Sequence, residues 1–543
     1  MNKVAHYLQE HLLGEVTANA EVRRYFAHDG SILQMPPAMV VYPRSEEDVR
    51  KTASFCWQLV KRGQAIPITA RGSGSNTSGG AIGPGILLIF PAHMNKILSF
   101  DAKRRNLTVE PGVTYSNIEQ MLFSHGQFLP PYPPSQNYST IGGAVAKNSL
   151  GEKSVKYGVT GHYVRSLRVV LANGEVIETG SLSKRELSQK MGLTNFEGEI
   201  YRALDKLLEE NHEAIEESRG RFQNVRNTAG YNIFGVKSRD HFDLTPLIVG
   251  SQGSLGIICE VSLASVEHSP QTTLCLASIP KLESLHQLLP QIKHLRPSVL
   301  DFINRPALQL VSRINPNQLS GASADLDSEA HLFVEFDDIK KGRQKDALKA
   351  LNKLIAEAEG SLVAYTDAND KDQIFKIRDS VATILNFAKV PAKAVPVAED
   401  IAVPQDKIVE FIQQAYGLYQ KIGLPPAAWG HIGDGVLHFQ PLLDLSKLGD
   451  RQKLFRISDS FYSLAIKLGG SITAGAGDGR VRAPYLKLQY GDKLHGIMQA
   501  VKNIFDPYGI LNPGVKTATP AQIKALMRSE YGPARHQEYL PRY

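Results

Sequence analysis

The chain has 543 residues, 42% hydrophobic and 21% charged, with 61 Lys and Arg against 54 Asp and Glu for a formal net charge of +7. This length supports two or more domains around a large apolar core, and the composition excludes a disordered, collagen-like or coiled-coil protein. The basic excess is mild and forms no basic block, which argues against a nucleic-acid partner and leaves at most a peripheral attraction to an anionic membrane or small anion.

Elements follow in chain order from hydrophobic runs and their punctuation. Residues 39–42 read as a strand. Ser45 before Glu46, Glu47 and Asp48 marks a helix N-terminus, with the helix running to about Lys61. Residues 65–69 read as a strand whose Pro67 places it at a sheet edge or a strand end. A glycine-rich loop, 71–81, leads to a third strand at 86–90. Further glycine clusters stand at 140–143 and 250–256, a stiff proline segment at 130–135, and Asn173-Gly174 signals a type I′ hairpin. After residue 268 the order changes to strand 273–279, helix 282–295, strand 299–303, then strand 331–336, helix 341–359 and strand 361–365. Two successive βαβ units of this kind predict a ferredoxin-like antiparallel sheet. From Thr517 a helix and a trailing arm are expected.

Cys56, Cys259 and Cys275 are scattered, so the chain has no CxxC, no zinc-finger spacing and no four-thiolate cluster, and a reducing cytoplasmic location is expected. The first residues lack an unbroken apolar signal core, and the longest apolar run, 86–90, is far shorter than the ~20 residues that span a bilayer.

The loop RGSGSNTSGGA at 71–81 departs from the common phosphate-binding templates. GxGxxG requires glycine where Thr77 stands and a helix directly afterwards, and no GK[ST] is present. On this segment alone two readings stay open: a nest of backbone N–H groups that binds an anion, or a flexible surface loop.

The wider set of segments is more specific. RGSGSNTSGGA, VEPGV, PPYPPSQNYSTIGGAVAKNSLG, KYGVTGHYV, VVLANGEVI, NTAGYNIFG and GSQGSLGIICEVSL occur in this order. AEDIAVP, WGHIGDGVLH, GGSITAGAGDGRVRAPYL and FDPYGILNPGVK follow. From about residue 37 to 516 the chain resembles the vanillyl-alcohol-oxidase-type flavoproteins, and among them the FAD-linked D-lactate, glycolate and D-2-hydroxyglutarate dehydrogenases. The resemblance implies an α+β architecture: a PCMH-type FAD-binding domain over 1–268, and a cap over 269–516 with the ferredoxin-like sheet. The last segment of the cap would pack back on the FAD domain, and 517–543 would form a C-terminal helix and tail.

The same resemblance implies that FAD is held by Arg71, Gly72, Ser73, Gly74, Ser75, Asn76, Ser78 and Gly79 around the pyrophosphate. Pro134, Ser135, Thr140, Gly142 and Gly143 would line the ribityl chain and ring, Ile257 would lie against the flavin or adenine, and Asn512 would also bind the cofactor. Ser75 and Asn76 stand where some members carry a tethering histidine, so non-covalent FAD is expected. Arg378 corresponds to an arginine that grips the substrate carboxylate; a helix-surface salt bridge is the alternative. Lys393 would assist Arg378, and Tyr231 belongs either to the substrate side of the flavin or to the core.

His431 and His438 flank Gly433-Asp434-Gly435, a turn able to bring the two rings together. Two neutral imidazoles suit Zn²⁺, Mn²⁺ or Fe²⁺, and they equally suit a hydrogen-bonded pair beside a cleft. In the metal-dependent branch the pair is completed by a glutamate followed by a histidine that serves as base, in a stretch like GGSISGEHGDGR. Here those two positions are Gly475 and Ala476. A metal at His431 and His438 thus lacks its third ligand, and the base must come from elsewhere: His431 or His438 could serve, and Asp434 or Glu399 could enter a rearranged site. The small residues also suggest an enlarged pocket. The expected activity is oxidation of a small, D-lactate-like 2-hydroxy acid by hydride transfer to flavin N5, with electrons passed to a separate quinone, cytochrome or electron-transferring flavoprotein. The alternatives are a metal-independent flavoprotein acting on another alcohol, and an FAD-binding subunit with little activity of its own.

Overall fold

The computed structural model describes residues 2–133, 135–319, 325–387, 391–424 and 427–531. Pro134, a candidate cofactor contact, and residues 532–543 of the tail lie outside the described residues.

The amino-terminal half is built on two sheets. The first has the order Glu15–Thr17, Met39–Tyr42, Ile86–Ile89, Ile68–Arg71, with the last three strands parallel. Ile68–Arg71 is an edge strand that begins after Pro67, because proline has no N–H for the ladder, and Pro67 instead accepts a bond from Ile86 N. The helix Glu46–Lys61 covers this sheet, its N-terminus capped by Ser45 as the sequence predicts. The second sheet is antiparallel, in the order Ile97–Asp101, Asn106–Val109, Ile257–Ala264, Val164–Val170, Val176–Glu178. The 164–178 hairpin forms, but its turn is not type I′. Gly174 has φ +90 while Asn173 is not left-handed, and Leu171 N bonds Glu175 O across an extra residue.

The cap sheet runs Ser361–Tyr365, Thr273–Ile279, Ala330–Phe336, Val299–Asn304, all antiparallel, which is the ferredoxin-like order 4-1-3-2. A fifth strand, Trp429–Gly430, pairs with the edge of Val299–Asn304. It is two residues long, below what hydrophobic alternation reveals, and it delivers His431 to the sheet margin.

The carboxy-terminal segment returns to the first sheet. Ile68 N bonds Ile510 O and Asn512 N bonds Ile68 O. The Asn512 amide is fully buried, donating to Gly80 O and Gln252 O and accepting from Thr69 and Arg480. It thereby ties two glycine loops to one another. Asn512→Ala leaves these buried groups unpaired and is expected to lower unfolding free energy in urea by about 2–4 kcal/mol without added cofactor.

Candidate active site

The loops leaving the two sheets face each other across a cleft enclosing about 830 Å³ of free space including its mouth. Gly72, Ser73, Gly74, Ser75 and Asn76 form one wall. Thr140, Gly142, Gly143, Ala146 and Lys147 form a second, from the helix Ile141–Lys147 and its cap. Gln252, Gly253, Gly256 and Ile258 form a third. The glycines at the contact are sterically required: a Cβ on Gly72 would lie 2.2 Å from Thr140 Oγ1, and one on Gly142 would lie 2.5 Å from Pro111.

The cleft fits FAD chemically. The backbone N–H groups of Gly74, Ser75 and Asn76 donate to no described residue, which suits a pyrophosphate. Ser149 Oγ, buried at the cleft, likewise has no partner among the described residues.

Several expected cofactor residues instead build the walls from behind. Arg71 itself lines the cleft, but its guanidinium turns inward, donating to His28 O and Ala81 O and lying 5.3 Å from the Phe26 ring centre. Ser78 and Gly79 stand behind the loop, with Ser78 Oγ on Asn76 and Gly79 O on Arg480. Ser135 reaches the site only through Ser139, 2.6 Å away. Asn512 is the buried tie described above. Ile257 lies in the apolar core, and Ile258 faces the cleft instead, because successive strand residues point to opposite faces. The residue missed in the sequence is Lys147. It stands four positions after Gly143 on the same short helix, and that spacing was the available signal.

Above this region a loop formed by 473–477 is wrapped around Asp400. Its carboxylate accepts from Thr473 Oγ1 and from the N–H groups of Ala474, Gly475 and Ala476. Asn76 donates to Ala476 O at 3.2 Å, joining this loop to the first glycine loop. The space beside Gly475 is not enlarged, contrary to expectation, because a Cβ there would meet Leu150 Cγ at 2.5 Å. Leu150 packs there with Val159, Ala402, Val436 and Ala474.

The turn through Ile432–Asp434 and left-handed Gly435 does bring His431 and His438 into one neighbourhood, and their surroundings differ. His431 Nδ1 is 2.8 Å from Asp301. Burial opposes charge on this ring, but the adjacent Asp301 carboxylate outweighs it and raises its pKa above the ordinary value. His438 Nδ1 accepts the Asp400 N–H at 3.2 Å, so the neutral ring carries its proton on Nε2. Burial lowers the pKa of His438 and keeps it neutral. Arg378 is not open to solvent: its guanidinium is ion-paired with both Glu152 and Asp301.

A divalent metal does not fit these residues. Gly475, where the resemblance would place a third ligand, has Leu150 against it, and His438 accepts an N–H at Nδ1, which leaves its proton on the Nε2 that would have to bind the metal. Among the described residues no group of three or more His, Cys, Asp or Glu side chains is arranged to hold a metal ion. Dialysis against Zn²⁺ is expected to leave no stoichiometric metal. Gly475→Glu alone should create no site, since Leu150 blocks the new side chain.

The sign of the His431 charge effect is testable. A histidine whose folded pKa is raised stabilises the fold fully below the unfolded value of about 6.5, and the contribution fades as pH rises through the folded value. The stability gap between the parent and His431→Gln in urea is expected to be widest below about pH 6.5 and to narrow as pH rises above it.

The comparisons agree with this geometry. A model described as "FAD binding domain" matches residues 37–180, and one described as "FAD linked oxidases, C-terminal domain" matches 269–515. The chain belongs to the FAD-linked oxidases, with a PCMH-type FAD-binding domain and the ferredoxin-like cap sheet expected from the sequence. It is 28% identical over 543 residues to a D-2-hydroxyglutarate dehydrogenase of Haemophilus influenzae, covering 97% of this chain and 52% of that protein. The chain thus spans about half the length of that relative. It is 29% identical to "Glycolate oxidase subunit GlcD" of Bacillus subtilis, covering 91% of this chain and 92% of that one. Among solved structures, 4-ethylphenol oxidase from Gulosibacter chungangensis shares the fold, with a TM-score of 0.69 at 14% identity over 96% of this chain and 98% of that one. No helix among the described residues is long and apolar enough to cross a membrane.

Proposed function

We propose that this protein is an FAD-dependent dehydrogenase of a small 2-hydroxy acid, working without a metal. The observation that carries the reading is the cleft itself, whose unpaired backbone donors suit a pyrophosphate and which opens toward the loop holding Asp400. The names of the relatives supply the substrate class. When bound, FAD supplies a two-electron acceptor for the hydride from the hydroxyl-bearing carbon. Gly72, Gly74, Ser75 and Asn76 hold its pyrophosphate, and Thr140, Gly142 and Gly143 face its ribityl chain and ring.

The two histidines act as donors to the substrate in this reading. His431, kept charged by Asp301, presents Nε2–H to a carboxylate or to the developing alkoxide, and His438 adds a neutral Nε2–H. Arg378 orders Asp301, and through it His431, instead of meeting the substrate carboxylate itself. Electrons leave to a separate acceptor, since Cys56, Cys259 and Cys275 are buried and separately placed, with no cluster cradle among them.

The test is anaerobic visible spectroscopy of the FAD-loaded protein with D-lactate, glycolate and D-2-hydroxyglutarate. Bleaching of the oxidised flavin band by at least one of them, unaffected by EDTA, is the expected result. A protein that takes up no FAD, or one bleached by dithionite and by no hydroxy acid, would overturn the reading.

A further inference from the structure

We propose that the side-chain amine of Lys147 is the base that accepts the substrate hydroxyl proton, in the place left by Gly475 and Ala476. The inference rests on the functional reading above. Lys147 ends the helix Ile141–Lys147, whose Thr140-capped start carries Gly142 and Gly143. Four residues make about one helical turn, so Lys147 lies on the same face as Gly143 and lines the same cleft.

Its surroundings set it apart from the other enclosed lysines. Lys153, Lys156, Lys502 and Lys516 are each ion-paired with a carboxylate. The Lys147 amine makes no hydrogen bond or ion pair with a described residue, and the residue is half-buried. The charged groups facing it are Asp400, Glu399 and Arg482. Each is engaged elsewhere: Asp400 with the amides of 474–476, and Glu399 with Arg482 at 3.2 Å. Burial lowers the pKa of the amine below the ordinary lysine value, opposed by Asp400 and Glu399 and aided by Arg482. The same carboxylates would stabilise the ammonium once a proton arrives.

The other candidate bases are less suited. His431 is held charged, and His438 carries its proton on Nε2. Asp434 is engaged by Ser154 and Arg226, and Tyr231 is bonded to Ser254 with its pKa pushed up by burial. In the reaction Lys147 Nζ takes the hydroxyl proton and the C–H bond of the same carbon breaks. Its electron pair and hydrogen pass to the bound FAD, and the alcohol becomes a ketone or aldehyde.

The decisive comparison uses the FAD-loaded full chain. Anaerobic stopped-flow reduction by the hydroxy acid that bleaches the parent should slow by about 10²–10⁴-fold in Lys147→Met and in Lys147→Arg. The rise of the parent rate with pH should vanish in both, while FAD content and dithionite bleaching stay unchanged. Added ethylamine should partly restore Lys147→Ala. A second readout needs no substrate: after reductive ¹³C-methylation, the NMR resonance missing from Lys147→Met should titrate below those of the surface lysines. A Met variant with the parent's rate and pH profile, or a resonance titrating with the surface lysines, would overturn the role of Lys147 alone. A parent protein that no hydroxy acid bleaches would bring down the functional reading, and this one with it.

Discussion

The site depends on the carboxylate of Asp400. Backbone N–H groups of three consecutive residues, 474–476, converge on it, and the Thr473 hydroxyl joins them. A loop with so many inward amides holds its shape only around an anion, and here the protein supplies that anion itself. Asp400 sits in the left-handed region, φ +57, and its own N–H is thereby free to meet His438. One residue therefore shapes the loop above the cleft, selects the tautomer of a histidine and faces the Lys147 amine.

A second set of charges divides the labour of the histidines. Asp301 lies between His431 and Arg378, and Arg378 also meets Glu152 from the FAD-binding half. Arg378, His431, Asp301 and Glu152 make an ion-paired cluster buried between the halves. Such a cluster orders its members more than it stabilises the fold, since desolvation offsets much of the attraction. The two imidazoles are drawn apart in character by these neighbours: one drawn toward its charged form beside a carboxylate, one toward its neutral form beneath a backbone N–H.

Much of the architecture was legible from local pattern. Residues 273–365 alternate strand and helix with clear hydrophobic runs, and the four long strands appear in ferredoxin-like order. Ser45 capped its helix and Pro67 marked an edge, both through short-range stereochemistry. Features that rest on one-residue phase were less legible. A register irregularity after Ile258 accompanies the division between Ile257 in the core and Ile258 in the cleft, and the Asn173-Gly174 turn takes an extra residue.

The residues alone determined the glycine loops, the absence of a cluster-forming cysteine set, and that glycine and alanine, with no side chain able to bind a metal or move a proton, stand at 475 and 476. These are matters of which side chains exist. Tertiary structure decided what filled the loss: Leu150 closes the space beside Gly475, and Lys147 reaches the cleft from a helix more than 300 residues earlier in the chain. It also decided which histidine is drawn toward the charged form and that Arg378 is already paired. Ionisation and access depend on burial and on neighbours distant in sequence, and neither is encoded in local spacing.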